Sequence, residues 1–565
     1  MRVLTDLRPA ALIGCLGFAY LLFLEEPGLI DYDESCYAQV SREMLVRGDL
    51  IFPTLHGEPF FEKPPFLYWT QIAGYSLFGV GELGARVLNA LGALAALIAL
   101  HNCAVGPLGL RGALLSTLVL GTAVQFMVLA RTALTDLWLT VWLLGSMAAL
   151  HVAFEDARAG RPGTGRFLLA CFFSGLAMLT KGLAGIAIPA GAAAVHLALR
   201  REWQLLFRWR WLVPGAALAL LVGCSWYVLL GASSPQGFGF LEELIVEHHW
   251  MRFRETREGH GGPIFYYLIV LAVGLFPWTP FWLVALVRPR GRAADTERRR
   301  LLQLAAAFAV VPLVLFSIAA TKLPSYITPA LPPLALILGS LFDEDAPERP
   351  RLWRFSVLSA AACWVSIGLV CAAAPRILRA LPEVLGENAE KEPALFEPIA
   401  LGIAPWAGLA IAVGAALLLW NRARSPRPPA AIAWALGATS LAFFIFLVVL
   451  VLPAYDEHFR APLRALAVTA ARETRNEVLL VAMNDAPSVE FYGGVRTRRV
   501  RRSEASSLEP FRHGSDPVVG IVPERRLHLL GGPGRVTVIE RRRGYAAFRY
   551  EPAPGGGVPE TAPVR

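Results

Sequence analysis

The 565-residue sequence predicts an all-α polytopic membrane protein carrying a small C-terminal α/β domain. Three observations predict it. Hydrophobic residues make up 55% of the chain and charged ones 17%, with a mean hydropathy of +0.50, whereas a soluble enzyme carries about a quarter charged residues. Apolar runs such as Leu212 to Leu230 and Ala431 to Leu452 are each long enough to cross a hydrocarbon core of about 30 Å. The net charge of +9 is mostly arginine gathered in short connectors, the pattern of cytoplasmic loops between spans and not of a nucleic-acid surface.

Taken in order, the first apolar run, Pro9 to Leu24, lacks a small-residue cleavage site and reads as a retained span. Arg2 and Arg8 place its start inside, so residues 25–82 emerge outside. Further spans fall near 84–101, 113–130, 134–153, 167–180, 183–199, 212–231, 264–287, 301–319, 326–342, 355–372, 397–420 and 430–452, about thirteen in all. With this threading the clusters around Arg158, Arg200, Arg290, Arg351 and Arg424 all lie inside. Merging the two short spans around Lys181 would turn the Arg288–Arg300 cluster outside, so the charge bias supports the split. The seven cysteines sit mainly in apolar runs, and only Cys36 falls in an external loop, so no disulfide framework is expected.

After Pro453 the character changes. Leu463–Arg475 reads as an amphipathic helix, and Glu477–Met483, Ser488–Tyr492, Pro517–Pro523 and Arg535–Ile539 as short strands. The expected domains are a transmembrane unit over 1–455, an external α/β domain over 456–552 and a disordered tail over 553–565.

Polar groups from distant parts of the chain converge on the outer face. They are Asp31, Asp33 and Glu34; Glu62-Lys63-Pro64; Asp136; Glu247 to Arg254 with His260; and Lys322 to Tyr326. Ionisable groups so close to lipid usually serve binding or chemistry. Lys63, Lys322, Arg252 and Arg254 suit a phosphate at headgroup level. Asp33 and Asp136 offer carboxylates for a base or an electrostatic role, with Glu34 beside Asp33 as a third catalytic candidate. Tyr326 can donate to a phosphate oxygen. Bland readings stand beside these: Asp33 as the cap of the helix after it, Lys63 as a snorkelling residue, and Lys181 as the marker of a tight turn. Glu62, His249 and His260 are candidates for a divalent metal, although their spacing matches no compact ligand motif. No nucleotide-binding loop is present, so an activated substrate would arrive through the membrane, and a lipid phosphate fits.

The run Asp33-Glu34-(x2)-Tyr37-Ala38-(x2)-Ser41-Arg42-Glu43-Met44, followed by Phe61-Glu62-Lys63-Pro64-Pro65-(x2)-Tyr68-Trp69, resembles the lipid A aminoarabinose transferases and the wider protein O-mannosyltransferase-like enzymes. Gly175 to Gly182, His249-(x2)-Arg252-Phe253, His260-(x2)-Pro263 and Lys322-Leu323-Pro324-Ser325-Tyr326 are also similar, so the resemblance covers roughly residues 10 to 340. It implies the GT-C fold, an inverting transfer from a polyprenyl-phosphate sugar, and a bacterial inner-membrane location with the site and C-terminal domain in the periplasm. It further implies a catalytic role for Asp33, a second acidic role for Asp136, and lipid-phosphate contacts from Lys63, Tyr326, Arg252 or Arg254, with His249 in the same motif. The expected partners are the lipid-linked donor, membrane lipids and a lipid A, glycan or protein acceptor, bound by a monomer. Asp31-Tyr32-Asp33 departs from the family pattern, where a single acid is expected, and the C-terminal region matches weakly. The reading from another class is a flippase for a lipid-linked sugar; it predicts mid-membrane polar groups and repeated halves, neither of which the sequence has.

Overall fold

A computed structural model describes residues 7–206, 208–233, 237–240, 261–287, 296–424, 428–474, 476–505, 508, 517–530 and 534–551. Helices dominate it. Helix α1 (Leu7–Leu21) leads into a juxtamembrane segment made of α2 (Asp33–Arg47), a two-stranded hairpin of β1 (Thr54–Leu55) and β2 (Glu58–Pro59), and α3 (Phe66–Phe78). The helical body follows: α4 (Glu82–Gly121), α5 (Val124–Ala130), α6 (Thr135–Arg158), α7 (Thr164–Lys181), α8 (Ala184–Arg200), α9 (Trp209–Gly223), α10 (Ser225–Ser233), α11 (Tyr266–Gly274), α12 (Trp282–Leu286), α13 (Glu297–Ile318), α14 (Leu331–Phe342), α15 (Pro350–Leu385), α16 (Ala404–Arg424) and α17 (Pro429–Phe446).

Among the described residues, seven helical stretches are long and apolar enough to cross a membrane, or nine if each of two bent pairs is one span. Leu220, Leu221, Val228, Val310, Val314, Val365 and Leu369 are exposed on these helices. Exposed apolar belts of this extent mark a lipid-facing surface, and the chain is a multi-pass membrane protein. The expected spans 84–101 and 113–130 fall largely on the single helix α4. It breaks at Gly109, whose φ of 73° only glycine adopts without strain, two residues after Pro107.

Sequence motifs explain the close approaches that position the outer face. A Cβ at Gly74 on α3 would strike the Gly84 carbonyl, so the two glycines let α3 and α4 meet backbone to backbone. Gly182, with φ of 65°, ends α7 directly after Lys181, and Gly185 packs on the Ala177–Met178 backbone where a Cβ would not fit. The chain therefore reverses sharply at Lys181. Arg131, in the turn between α5 and α6, donates to the carbonyls of Tyr20, Leu22 and Phe23 at 2.9, 2.5 and 2.7 Å and satisfies the end of α1. On the opposite end of the bundle, Arg158 and Arg300 pair with Glu155 at 2.6 and 2.5 Å, tying α6 to α13.

Beyond α17 the helix runs on to Glu473, and its last part is α18 (Ala461–Glu473). A five-stranded sheet follows in the order β4-β3-β5-β7-β6, with β3 (Glu477–Val481) parallel to β4 (Arg496–Val500) and β5 (Val518–Pro523), and antiparallel pairs joining β7 (Tyr545–Glu551) to β5 and to β6 (Arg535–Arg542). Leu463, Leu466 and Ala470 of α18 pack on Val478, Leu480 and Ile521, while Leu479, Val481, Phe548 and Tyr550 form a core on the other face. One expected strand is corrected. Ser488–Tyr492 lies in a short helix, α19 (Pro487–Gly493), which begins with Pro487 and ends at Gly494 with φ of 72°. Proline in the first turn and glycine just past the end are helix signals, and they outweigh the short apolar alternation. Strands β4 and β7 lie where none was expected. The expected tail over 553–565 lies outside the described residues.

Candidate active site

Five segments meet in a small open pocket of about 70 Å³ lined by Tyr32, Asp33, Tyr37, Glu62, Lys63, Thr135, Asp136, Lys181, Thr321, Ser325 and Tyr326, among others. Helix α2 brings Asp33 on its first turn, the stretch before α3 brings Lys63, α6 brings Asp136 on its first turn, and α7 ends at Lys181. The chain between α13 and α14 adds Tyr326. Carboxylates at helix starts sit at the positive end of the peptide dipoles, so the local fold favours acids at both positions.

The charges alternate around the pocket. The Lys181 ammonium donates to the buried Asp136 carboxylate and lies 3.9 Å from the centre of the Tyr326 ring. Lys63 Nζ is 3.8 Å from Glu62 Oε2. Asp33 opens to the pocket, yet the protein around it withdraws much of its hydration. That burial pushes its carboxyl above the ordinary carboxylate range; Lys63 and Lys181 act to lower it, while Asp136 and Glu62 act to raise it. The pocket thus holds an accessible carboxylate of raised basicity beside a cation, with a second carboxylate neutralised by a second lysine. Such a set can take up a proton or stabilise positive charge at one end and hold a phosphate at the other.

Of the residues singled out from sequence, Asp33, Asp136, Lys63, Glu62 and Tyr326 line this pocket. Glu34 does not. It is buried, its carboxylate pairs with Arg86 at 2.7 Å and accepts from the backbone N–H groups of Ala133 and Ile30 at 3.0 and 3.1 Å. Adjacent residues on a helix point about 100° apart, so with Asp33 facing the pocket its neighbour turns into the protein. Lys322 is also buried outside the lining, with its ammonium donating to the Ala319 carbonyl. Arg252, Arg254, His249 and His260 lie outside the described residues. Among the described residues no group of three or more His, Cys, Asp or Glu is arranged to hold a metal ion.

Lys181 marks the tight turn expected from sequence and, beyond that expectation, also lines the pocket. One signal was available: it is a lone lysine at the outer end of a span, on the face from which the arginine clusters are absent. Tyr32, Thr135, Thr321 and Ser325 also reach the pocket; their types carry no such signal.

Residues 28–236 match the family model described as dolichyl-phosphate-mannose-protein mannosyltransferase. The chain is 32% identical over 332 residues to the undecaprenyl phosphate-alpha-4-amino-4-deoxy-L-arabinose arabinosyl transferase of Edwardsiella ictaluri, covering 58% of each chain. It is 31% identical over 384 residues to the protein of the same name in Pectobacterium carotovorum, covering 64% of this chain and 66% of that one. The matched part therefore spans somewhat more than half the length of these curated relatives. In three dimensions it is similar to the crystal structure of ArnT from Cupriavidus metallidurans bound to undecaprenyl phosphate, with a TM-score of 0.74 and 23% identity, over 96% of this chain and 97% of that one. That likeness establishes the fold, including its C-terminal part.

Proposed function

We propose that this chain is a GT-C membrane glycosyltransferase akin to the aminoarabinose transferases and the protein O-mannosyltransferase-like enzymes, and that it transfers a sugar from undecaprenyl phosphate to lipid A or a similar envelope acceptor. The sugar named by its relatives is 4-amino-4-deoxy-L-arabinose. The observation that carries the reading is that Asp33 and Lys63 both line one pocket built from the outer-face motifs.

In this reading an acceptor oxygen forms a bond to the anomeric carbon with inversion as the bond from that carbon to the lipid phosphate breaks. The phosphate leaves with the electron pair, and Lys63 and the Tyr326 hydroxyl meet its growing charge. A hydroxyl acceptor passes its proton to Asp33. A phosphate monoester acceptor is already largely ionised near pH 7, and Asp33 then orients it, holds the sugar's amino group or stabilises positive charge on the anomeric carbon. Asp136, paired with Lys181, keeps the lysine and the Tyr326 ring in place. Arg252 or Arg254, with His249, is assigned to the donor phosphate from the family motif. A divalent ion is compatible with Glu62, but two of its three candidate ligands lie outside the described residues, and no step here runs through it.

The arginine distribution and the face shared by the pocket residues support thirteen spans, with the pocket and residues 456–552 on the periplasmic side of a bacterial inner membrane. Transfer to a protein hydroxyl is the second reading, favoured by the mannosyltransferase family match over residues 28–236. The test is transfer by the purified full chain from undecaprenyl-phosphate-linked aminoarabinose, offered either lipid A or a Ser/Thr-containing peptide, with products read by mass spectrometry. A mass increment on lipid A alone is expected. An increment on the peptide alone selects the second reading, and donor left intact with both acceptors refutes the sugar assignment.

A further inference from the structure

The second acid in Asp31-Tyr32-Asp33 is unused by the proposed chemistry, and the structure supplies a reason for it. Asp31 lies outside the pocket lining, and protein donors occupy both of its oxygens. Oδ1 accepts from the Ser35 hydroxyl at 2.5 Å and from the Ser488 N–H at 3.0 Å, and Oδ2 accepts from the Ser488 hydroxyl at 2.6 Å. The Arg460 guanidinium stands 3.6 Å from Oδ2, and its other end is 3.5 Å from Glu392. Ser488 and Arg460 belong to the C-terminal part, more than four hundred residues along the chain. Burial pushes its carboxyl above the ordinary range although Ser35, Ser488 and Arg460 act to lower it, but outside the pocket and with both oxygens engaged it serves as an anchor, because charge-assisted hydrogen bonds are about twice as strong as neutral ones.

What the anchor holds is the start of α2. Asp33 is two residues on, and the Oγ of Ser35, whose hydroxyl donates to Asp31, lies 3.1 Å from the Tyr32 carbonyl oxygen. The first-turn amides of Ser35 and Cys36 donate to the Ile30 and Tyr32 carbonyls at 3.3 and 3.0 Å. No side chain of the preceding residue caps this helix start, and the neighbouring domain adds a restraint to the one Glu34 makes with Arg86. Because catalysis by a positioned carboxylate falls about a hundredfold for a displacement of roughly 1 Å, a restraint of this kind acts directly on turnover. We propose that Asp31 is a positioning residue clamped by Ser488 and Arg460, so that the C-terminal domain completes the active site by fixing the helix turn that carries Asp33. The inference rests on the catalytic reading of Asp33 given above. It differs from a plain docking role, which predicts a loss of stability without a change in turnover.

The full-length protein in detergent micelles tests this with two readouts. The first is amide hydrogen exchange of the peptide containing Ser35 and Cys36. Ser488→Ala and Asp31→Asn should each speed it by about tenfold or more, with no change at the start of α6, and Ser488→Thr should restore it. The second is transfer kinetics with the lipid-linked sugar. Both damaging variants should lower kcat about tenfold to a hundredfold with the donor KM unchanged, the double variant should be no worse than the poorer single, and Ser488→Thr should recover activity. Arg42→Gln is the control. It removes a contact of the same interface, Arg42 to the Phe491 carbonyl at 2.9 Å, farther along α2, and should lower melting temperature without lowering kcat. Unchanged exchange, or unchanged kcat in Ser488→Ala and Asp31→Asn despite a lower melting temperature, overturns the proposal. A wild-type chain that exchanges as expected yet turns over no lipid-linked sugar overturns the catalytic reading instead.

Discussion

At the scale of single residues, Asp33 combines exposure to the pocket with burial by the surrounding protein, and the two have opposite consequences. Its raised affinity for a proton makes it a better base at neutral pH than an ordinary aspartate. It also means that ionising Asp33 costs stability: the folded chain holds its proton more tightly than the unfolded one, so this stability is full below the unfolded value and is lost as pH rises through the folded one. Activity runs the other way, because transfer to a hydroxyl needs the carboxylate. Asp33→Asn should therefore cut transfer at least a hundredfold while leaving the protein as stable or more stable at pH 7, as read by thermal melts beside rate assays. The wild-type acid limb should fall at a pH above the ordinary aspartate range of about 4. A variant that keeps wild-type rates removes Asp33 from the chemistry. Sequence made this residue visible, since an acid flanked by Tyr32 and Glu34 at the end of an apolar run has few structural excuses. The family resemblance singled out Asp33, but the local pattern alone did not separate it from Asp31 and Glu34, because that separation depends on which face of the helix each occupies and on partners far along the chain.

Elements carry the next layer, and the start of α2 is the clearest case. It is fixed on three sides: by the Glu34–Arg86 pair to α4, by Asp31 to the C-terminal domain, and by the Tyr75 hydroxyl, which donates to the Ala38 carbonyl at 3.0 Å. Burial works to raise the Glu34 carboxyl, but the Arg86 charge and hydrogen bonds, with the Ala133 and Ile30 amides, hold it below the ordinary glutamate range. Its contribution to stability is present above the unfolded value and is lost as pH falls through the folded one. Glu34→Gln leaves Arg86 buried without its counter-charge and should destabilise the fold by about 3–5 kcal/mol, measured as a lower melting temperature in detergent, whereas a catalytic Glu34 would lose rate without losing stability. Long spans such as α6 were legible from their apolar length alone. Helix α19 and strands β4 and β7 were less so: β4 reads Arg-Thr-Arg-Arg-Val, and a half-exposed edge strand with that composition lacks the apolar alternation by which strands are recognised.

On the scale of the whole molecule, the arginine bias predicts a single orientation in which residues 25–82 and the C-terminal domain share one side. The contacts between them require as much: Gly28 donates to Asp456 at 2.6 Å, Leu29 to the Tyr492 hydroxyl at 2.8 Å, and His56 lies 2.5 Å from Glu490. Although burial opposes its charge, the Asp485 and Glu490 carboxylates push His56 up to about 10, so this bridge stays charged through the neutral range. Cysteines introduced at exposed positions 50 and 502 should both react with a membrane-impermeant thiol reagent added from the periplasmic side, while one at position 161 should not. Labelling that separates 50 from 502 contradicts the shared side. The change of character after Pro453 pointed to a small C-terminal domain, but not to its grip on the juxtamembrane helix, since those contacts join residues with no local pattern in common. The grip also has a consequence in time. Asp31 and Ser488 are 457 residues apart in the chain, so at about 5–20 residues per second of synthesis the first leaves the ribosome roughly 20–90 s before the second is made. Throughout that interval the turn carrying Asp33 lacks the anchor proposed for it, and a chain truncated before residue 488 should lose at least as much turnover as Ser488→Ala. Under that proposal the active-site turn is the last part of the protein to be set in place, after the C-terminal domain has been made.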